Sequence, residues 1–110
     1  MIAKTFLDAV KARRTFYQLS IDSTIPDSRI QEIVHEVVQN SPSAFNSQSA
    51  RLVLLLNDEH RKLWGFTKDI LKAMVSEEQW KSTSQRLNGF QGAHGTVFLI
   101  LIEHIVKTSY

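Results

Sequence analysis

The sequence contains no cysteine, only two prolines and four glycines, and no long hydrophobic run. Without cysteine the chain forms no disulfide and no thiolate-based zinc or iron–sulfur site, so nothing points to secretion. The longest apolar run, residues 97–102, is far shorter than the roughly 20 residues of a membrane-spanning helix. The net charge of +2 is weak evidence for nucleic-acid binding. We therefore expect a cytoplasmic protein without membrane or nucleic-acid partners, and a nuclear location stays open.

What the chain does have is an ordinary apolar content. Its 110 residues are 43% hydrophobic, which together with the low net charge excludes an intrinsically disordered chain. A chain of this length buries roughly 60–70% of the surface that it exposes when unfolded, which is normal for one domain. We therefore interpret residues 1–110 as a single domain.

Helical periodicity covers most of the chain. The spacing of apolar residues predicts helices over residues 5–14, 26–40, 58–75 and 77–87. The second is the most regular and is expected to end near Asn40, since Pro42 disfavours helical geometry at the residue before it. Gly65 indicates a bend in the third helix, and Ser76 with Gln79 resembles a capping box at the start of the fourth.

The first helix has an alternative interpretation. Residues 5–14 are amphipathic and basic, as a mitochondrial transit peptide also is. Asp8 inside the segment and the absence of serine favour an ordinary helix. Residues 15–25 show no period, which predicts an extended connection to the second helix.

Two short apolar segments predict buried strands. Residues 52–56 end at Asn57, and residues 96–102 follow a glycine-bearing turn at 88–95. Two strands joined by roughly 40 mostly helical residues are parallel neighbours, or each pairs with another strand. All-apolar strands are typical of the middle of a sheet, where each strand has a neighbour on both sides, so we expect this chain to lack part of its sheet.

No metal-binding or acid–base cluster stands out. The histidines share no ligand spacing, and we expect no metal site; they are His35, His60, His94 and His104. Pairs of acidic residues open the third and fourth helices, where they complement the helix dipole. The three glycines at 89, 92 and 95 precede a strand, whereas a dinucleotide fingerprint requires G-x-G-x-x-G between a strand and a helix.

Two polar segments carry the candidate chemistry. Residues 13–17 (Arg-Arg-Thr-Phe-Tyr) end the first helix with two guanidinium groups, which match phosphate oxygens or the carbonyls of a flat heterocycle. Cations at a helix C-terminus are also favoured for purely structural reasons. Residues 42–48 (Pro-Ser-Ala-Phe-Asn-Ser-Gln) form a polar loop whose Ser and Asn side chains suit the edge of a ligand ring, although loops are commonly polar.

These two segments, in this order, resemble the first half of the FMN-dependent nitroreductase family, and more narrowly its fungal branch. The resemblance runs from about residue 6 to residue 98 and includes Leu-Trp-Gly-Phe-Thr at 63–67. It implies an α+β fold in which helices flank a central, antiparallel-leaning mixed sheet, built as an intertwined homodimer with FMN at the interface. Because family chains are about twice as long, it also implies that this chain is the N-terminal half of the fold, incomplete at the C-terminus.

Carried over position by position, the resemblance implies a set of cofactor-binding residues. They are Arg13, Arg14, Thr15, Tyr17, Ser43, Ala44 and Asn46. The first four match the segment that contacts FMN, with Arg13 the foremost candidate, and the last three match the loop along the isoalloxazine ring. Tyr17 replaces the Lys or Arg of many bacterial members, and the Trp that these carry after Gln-Pro is absent here.

The function that the resemblance implies is a ping-pong oxidoreductase. NAD(P)H delivers a hydride to the flavin, and a small-molecule electron acceptor, a nitroaromatic or a quinone, takes up the electrons. No catalytic side chain is implied. The fungal branch is linked to oxidative-stress responses and lipid signalling.

Two alternatives stay open. The first is a truncated, non-catalytic family member that acts through dimerisation with full-length chains. The second is a small basic module that binds phosphate or nucleic acid; its cations are Lys4, Lys11, Arg13 and Arg14.

Overall fold

A two-stranded sheet and a helical hairpin form the centre of the structure, a computed structural model that describes residues 5–102. The elements are α1 (Phe6–Ala12), α2 (Asp27–Asn40), a 3₁₀ turn (Ala44–Asn46), β1 (Ala50–Leu56), α3 (Asp58–Met74), α4 (Glu77–Gln91) and β2 (Gly95–Leu101). Lys4, His104 and the tail that follows lie outside the described residues. None of the helices in residues 5–102 combines the length and apolar character needed to cross a bilayer.

The second helix forms where its sequence predicts it. Pro26 is its N-cap residue, and Asp27 places a negative charge in the first turn, where the helix dipole favours it. The helix ends at Asn40, and Ser41 is extended with φ −91° and ψ 131°, the geometry that a following proline imposes. α1 ends at Ala12, two residues before the predicted end, and residues 15–25 contain no regular element, as predicted.

The third and fourth helices differ from the predicted pattern in two details. α3 is continuous through Gly65, so the predicted bend is wrong; a glycine lowers helix stability by only about 1 kcal/mol, and packing of α3 on α4 outweighs this. The predicted cap of α4 is confirmed, because Ser76 Oγ accepts a hydrogen bond from the Gln79 backbone N–H at 3.2 Å. α4 continues past residue 87 to Gln91.

The two strands pair with each other in antiparallel orientation, which agrees with the antiparallel-leaning sheet that the resemblance implies and not with the parallel arrangement that the connection length left open. Their register runs from Ala50 opposite Leu101 to Leu56 opposite Gly95. The reason is the number of helices between the two strands. A single helix would carry the chain to the opposite end of the sheet, and the next strand would run parallel to the first. Here α3 and α4, of 17 and 15 residues, carry the chain away from the end of β1 and back to it, so β2 runs in the opposite direction.

The strands are less buried than predicted. The last five residues of β2, Val97 to Leu101, are 41–62% exposed, and Leu87, 6% exposed, is the only buried hydrophobic residue among those described. Each strand has one neighbour within residues 5–102, so one edge of each strand is unpaired there. A large apolar surface on β2 and on α1 is therefore not covered by the described part of the chain.

Candidate functional site

The arginine pair lies where α1 ends. α1 begins at Phe6, with Thr5 Oγ1 accepting a hydrogen bond from the Asp8 N–H, and Arg13 has left helical geometry with ψ 133°. Arg14 Nη1 donates to the Lys11 and Arg13 carbonyls, both at 2.8 Å, and so caps the helix C-terminus. Arg13 Nη1 donates to Thr15 Oγ1 at 3.3 Å. Each guanidinium carries five N–H donors, so these bonds leave most of the exposed fork available to a ligand.

Tyr17 lines an open groove of about 400 Å³ against one face of α4. The other lining residues are Ser82, Gln85, Arg86, Gly89 and Phe90. A side chain at position 89 would place its Cβ 3.6 Å from the Tyr17 carbonyl, in ordinary contact, so α4 passes close to the backbone of the arginine motif. The groove adds a third guanidinium, that of Arg86, to the neighbourhood of the motif.

Arg86 and its neighbours in the groove were not among the residues predicted from the sequence. The five α4 residues recur at intervals of three and four positions, which is one face of a helix. That face is visible in the sequence, but its contact with Tyr17 depends on a tertiary approach between residues far apart in the chain.

The second motif forms a loop closed by its own hydrogen bonds. Ser43 Oγ accepts from the Gln48 backbone N–H at 3.1 Å, and Asn46 Oδ1 accepts from the Gln48 side-chain amide at 3.2 Å. Ala44 lies at the start of the 3₁₀ turn, and its carbonyl accepts from the Ser47 N–H at 3.0 Å. The loop therefore holds Ser43, Ala44 and Asn46 in fixed, exposed positions.

No hydrogen bond or ion pair within residues 5–102 joins the arginine motif to this loop. The bonds of Arg13 and Arg14 stay at the end of α1, and those of Ser43 and Asn46 stay in the loop. The grouping of the seven predicted residues into one cofactor site therefore stays a prediction.

A buried histidine network holds α3, α4 and β2 together beside the groove. His60 is 0% exposed; its Nε2 lies 3.0 Å from the Gln91 carbonyl and its Nδ1 lies 2.7 Å from Thr96 Oγ1. A carbonyl only accepts, so Nε2 carries the proton, and Nδ1 accepts from the Thr96 hydroxyl. That hydroxyl oxygen also accepts from Trp64 Nε1 at 2.9 Å. The network fixes the C-terminal end of α4 next to the groove.

A second network joins the segment before α2 to the turn before β2. His94 Nε2 donates to Asp27 Oδ1 at 2.6 Å, and His94 Nδ1 donates to the Ile21 carbonyl at 2.8 Å. Because both ring nitrogens face acceptors, the imidazolium form fits this site, and the hydrogen bond with Asp27 raises the pKa of His94. The bonds from His94 and Asn57 lower the pKa of Asp27.

The networks contain no metal-binding constellation. Among residues 5–102, no group of three or more His, Cys, Asp or Glu side chains could hold a metal ion. The two histidine networks are closed by carbonyl, hydroxyl and carboxylate partners of the chain itself. Their effect is to hold backbone segments that are distant in sequence against each other.

Comparison with known proteins decides the family. The family model described as the nitroreductase family matches residues 10–109. The chain belongs to the nitroreductase family. The match extends beyond residue 98, where the motif resemblance was expected to end, and it supports the coarse assignment of the family as flavin-dependent oxidoreductases.

Two Saccharomyces cerevisiae proteins are similar in sequence to this nitroreductase family member. The nitroreductase homologue HBN1 is 36% identical over 74 residues, which cover 66% of this chain and 37% of HBN1. The nitroreductase FRM2 is 34% identical over 61 residues, which cover 54% of this chain and 32% of FRM2. The chain therefore spans about a third of the length of these two relatives.

Solved nitroreductase structures confirm the predicted fold. Nitroreductase CinD from Lactococcus lactis, in complex with chloramphenicol, superposes with a TM-score of 0.75 at 31% identity, covering 94% of this chain and 51% of CinD. A nitroreductase from Saccharomyces cerevisiae superposes with a TM-score of 0.72 at 27% identity, covering 94% of this chain and 56% of that structure. The chain spans about half the length of both.

Proposed function

We propose that this chain forms part of an FMN site and that the protein is an NAD(P)H oxidoreductase of the nitroreductase type. The observation that carries the proposal is the groove that Tyr17 of the arginine motif and Arg86 on α4 both line. It supports cofactor binding because a flavin mononucleotide needs cations for its phosphate and polar groups for its ribityl chain. Membership of the family supports the same class of reaction.

The donor set fits the chemistry of FMN. Arg13, Arg14 and Arg86 offer exposed guanidinium forks for the phosphate, and Thr15 offers a hydroxyl beside them. In the second motif, Ser43, Ala44 and Asn46 would lie along the flavin ring. When bound, FMN supplies the redox chemistry between NAD(P)H and the acceptor, so the chain's own residues bind, orient and shield it. Because the cofactor supplies the redox chemistry, the protein needs no acid–base pair of its own.

The acceptor in this proposal is a nitroaromatic or a quinone. Related CinD structures hold chloramphenicol and 4-nitrophenol, which supports a small aromatic acceptor for this protein as well. Similarity to HBN1 and FRM2 supports the fungal branch, and a link to oxidative-stress responses or lipid signalling belongs to the same proposal. A cytoplasmic or nuclear location stays a prediction.

A homodimer completes the proposal. Residues 5–102 leave apolar side chains exposed on α1 and β2, with Phe6 at 80%, and such a surface is typical of an interface. In this proposal a second chain contributes to the site that the two motifs form. Nitroreductases are typically dimeric, which supports the second chain.

Titration with FMN tests the proposal. We expect the purified protein to quench FMN fluorescence on binding, and Arg13→Ala to weaken binding roughly tenfold or more, because a charge-assisted hydrogen bond is lost. Arg29→Ala is the matched control: it removes the same charge from an exposed arginine on α2 that pairs with Glu32. A protein that ignores FMN, or equal losses in the two variants, contradicts the proposal.

The second candidate function is a non-catalytic family member that acts through dimerisation. The exposed apolar surface on α1 and β2 favours it, since dimerisation covers such a surface. Under this hypothesis the protein is colourless, does not bind FMN and co-purifies with a full-length homologue. Binding that weakens steeply with salt and extends to nucleic acid would instead favour the basic module.

A further inference from the structure

The segment that follows the arginine pair, residues 15–25, lies on the surface. All of its residues are exposed in the described part of the chain, so burial contributes little to holding it in place. Its backbone touches the end of α4 at two points. A side chain at Gly89 would place its Cβ 3.6 Å from the Tyr17 carbonyl, and one at Gly92 would place it 3.8 Å from the Leu19 carbonyl. These are van der Waals contacts, which are individually weak.

One hydrogen bond fastens this segment to the rest of the fold. The other bonds of residues 15–25 stay within the segment or reach Arg13 at the end of α1. Among the described residues, only the bond between His94 Nδ1 and the Ile21 carbonyl, at 2.8 Å, joins the segment to α2, the hairpin or the sheet. Ile21 follows Tyr17 closely in the chain, so the fastening acts on the part of the segment that lines the groove.

The other side of the His94 ring is fixed as well. Its Nε2 donates to Asp27 Oδ1 at 2.6 Å, and the Asn57 side-chain amide donates to Asp27 Oδ2 at 3.0 Å, so both oxygens of this carboxylate are engaged. The Asn57 backbone N–H also donates to the His94 carbonyl at 3.1 Å. The carboxylate that follows in the chain, Asp58, pairs with Arg61 on α3.

The groups around His94 favour its imidazolium form. The hydrogen bond to Asp27 on α2 contributes most to raising the pKa of His94. The bond to the Ile21 carbonyl and the charges of Asp27 and Asp22 add to the rise, whereas partial burial opposes it.

Loss of one proton from His94 breaks the fastening at Ile21. A neutral imidazole has one N–H donor, and its other nitrogen is an acceptor. The Asp27 carboxylate is the stronger acceptor because it is charged, so the remaining proton stays on Nε2. Nδ1 then directs a lone pair at the Ile21 carbonyl oxygen, and two acceptors repel each other.

We propose that His94 is a positioning residue whose imidazolium fastens residues 15–25 to the fold and thereby keeps the groove that Tyr17 and Arg86 line formed. Above the folded pKa of His94 the segment is released, and the groove loses the wall that Tyr17 supplies. The fastening stands on the contacts of the chain itself, whereas its effect on FMN affinity rests on the proposed function.

Limited proteolysis with chymotrypsin measures the release without any ligand. The protease cleaves after Phe16 and Tyr17, and a free peptide of residues 12–22, which contains no histidine, corrects for the pH dependence of the protease itself. From about pH 6 to about pH 8.5 we expect the corrected cleavage of the unmodified protein in this segment to rise roughly tenfold, since a hydrogen bond to a charged group changes an equilibrium constant by about that factor. Cleavage after Trp80 on α4 should stay much slower, because it requires the hairpin to unfold.

Two variants separate the charge of His94 from other effects of pH. His94→Gln is neutral at every pH, so its cleavage after Tyr17 should be raised already at about pH 6 and stay constant. His35→Gln is the matched control, since His35 is exposed on α2, and it should follow the unmodified protein. In the unmodified protein, cleavage that does not change with pH, or that is as fast after Trp80 as after Tyr17, overturns the proposal. A pH-dependent rate in His94→Gln overturns it too.

FMN titration over the same range tests the effect on the cofactor. The FMN phosphate is mostly doubly charged above about pH 7, so a further change in affinity arises in the protein. We expect affinity to fall roughly three- to tenfold between about pH 7 and about pH 8.5 in the unmodified protein and to stay constant in His94→Gln. Constant affinity beside pH-dependent cleavage overturns the positioning role and leaves the proposed function intact. Absence of FMN binding at every pH contradicts the proposed function, and the cleavage result then decides the fastening alone.

Discussion

Replacing His60 tests whether one buried imidazole holds the helical hairpin to the sheet. His60→Ala removes the bonds to the Gln91 carbonyl and the Thr96 hydroxyl and leaves a cavity where the ring was fully enclosed. An unsatisfied buried partner costs about 1–3 kcal/mol, and truncating a large buried side chain adds a comparable amount. We expect a loss of about 3–5 kcal/mol in the free energy of unfolding, or a Tm lower by roughly 15–25 °C.

Urea and thermal denaturation measure this loss of stability, and two further variants serve as a partial rescue and as a control. His60→Gln can still donate to the Gln91 carbonyl, so it should recover about half of the stability that His60→Ala loses. His35→Ala is the matched control, since His35 is exposed on α2, and it should change stability by less than about 0.5 kcal/mol. A loss for His60→Ala no larger than that of the control refutes the assigned network.

Two further predictions concern charge and capping. Because the pKa of His94 is raised, its contribution to stability is complete below the unfolded pKa of 6.5 and disappears as the pH rises through the folded pKa. Because the pKa of Asp27 is lowered, its contribution to stability is complete above the unfolded pKa of 3.8 and disappears as the pH falls through the folded pKa. Urea midpoints should therefore fall as the pH rises above 6.5, and His94→Gln should flatten that fall; an unchanged profile contradicts the imidazolium assignment. Ser76→Ala should lower the free energy of unfolding by about 1 kcal/mol, because the cap of α4 is lost. Ser84→Ala is the control, since the Ser84 hydroxyl donates to the Lys81 carbonyl within the helix, and it should hardly change the free energy of unfolding. Equal effects of the two substitutions would contradict the cap.

The features predicted correctly, the bounds of α2 and the cap of α4, depend on residues that are close together in the sequence. The apolar spacing of α2, the proline after it and the Ser76 cap act within one or two helical turns, and all three appear in the structure. The bend at Gly65 was wrong because packing between helices outweighs a weak local preference. The spacing of the two strands left their orientation open, since it depends on where two whole helices return the chain.

The parts of the candidate site that escaped prediction depend on distant partners. His60 bonds to residues 31 and 36 positions away, and His94 to residues 67 and 73 positions away, so no spacing rule applies to them. Tyr17 was selected through the family motif, but its groove on α4 needs the folded chain. A faint signal for His60 existed, because it shares one helical face with Trp64 and Leu71.

The antiparallel pairing of β1 and β2 also has a consequence for the order of folding. Paired residues are about 40 to 50 positions apart, and closing a loop of that length is entropically unfavourable before other contacts form. The α3–α4 hairpin shortens that search, because its helices depend on nearer contacts and their formation brings both strand ends together. Sheet formation should therefore follow hairpin docking, and during synthesis β1 must wait, unpaired, until the whole hairpin has left the ribosome.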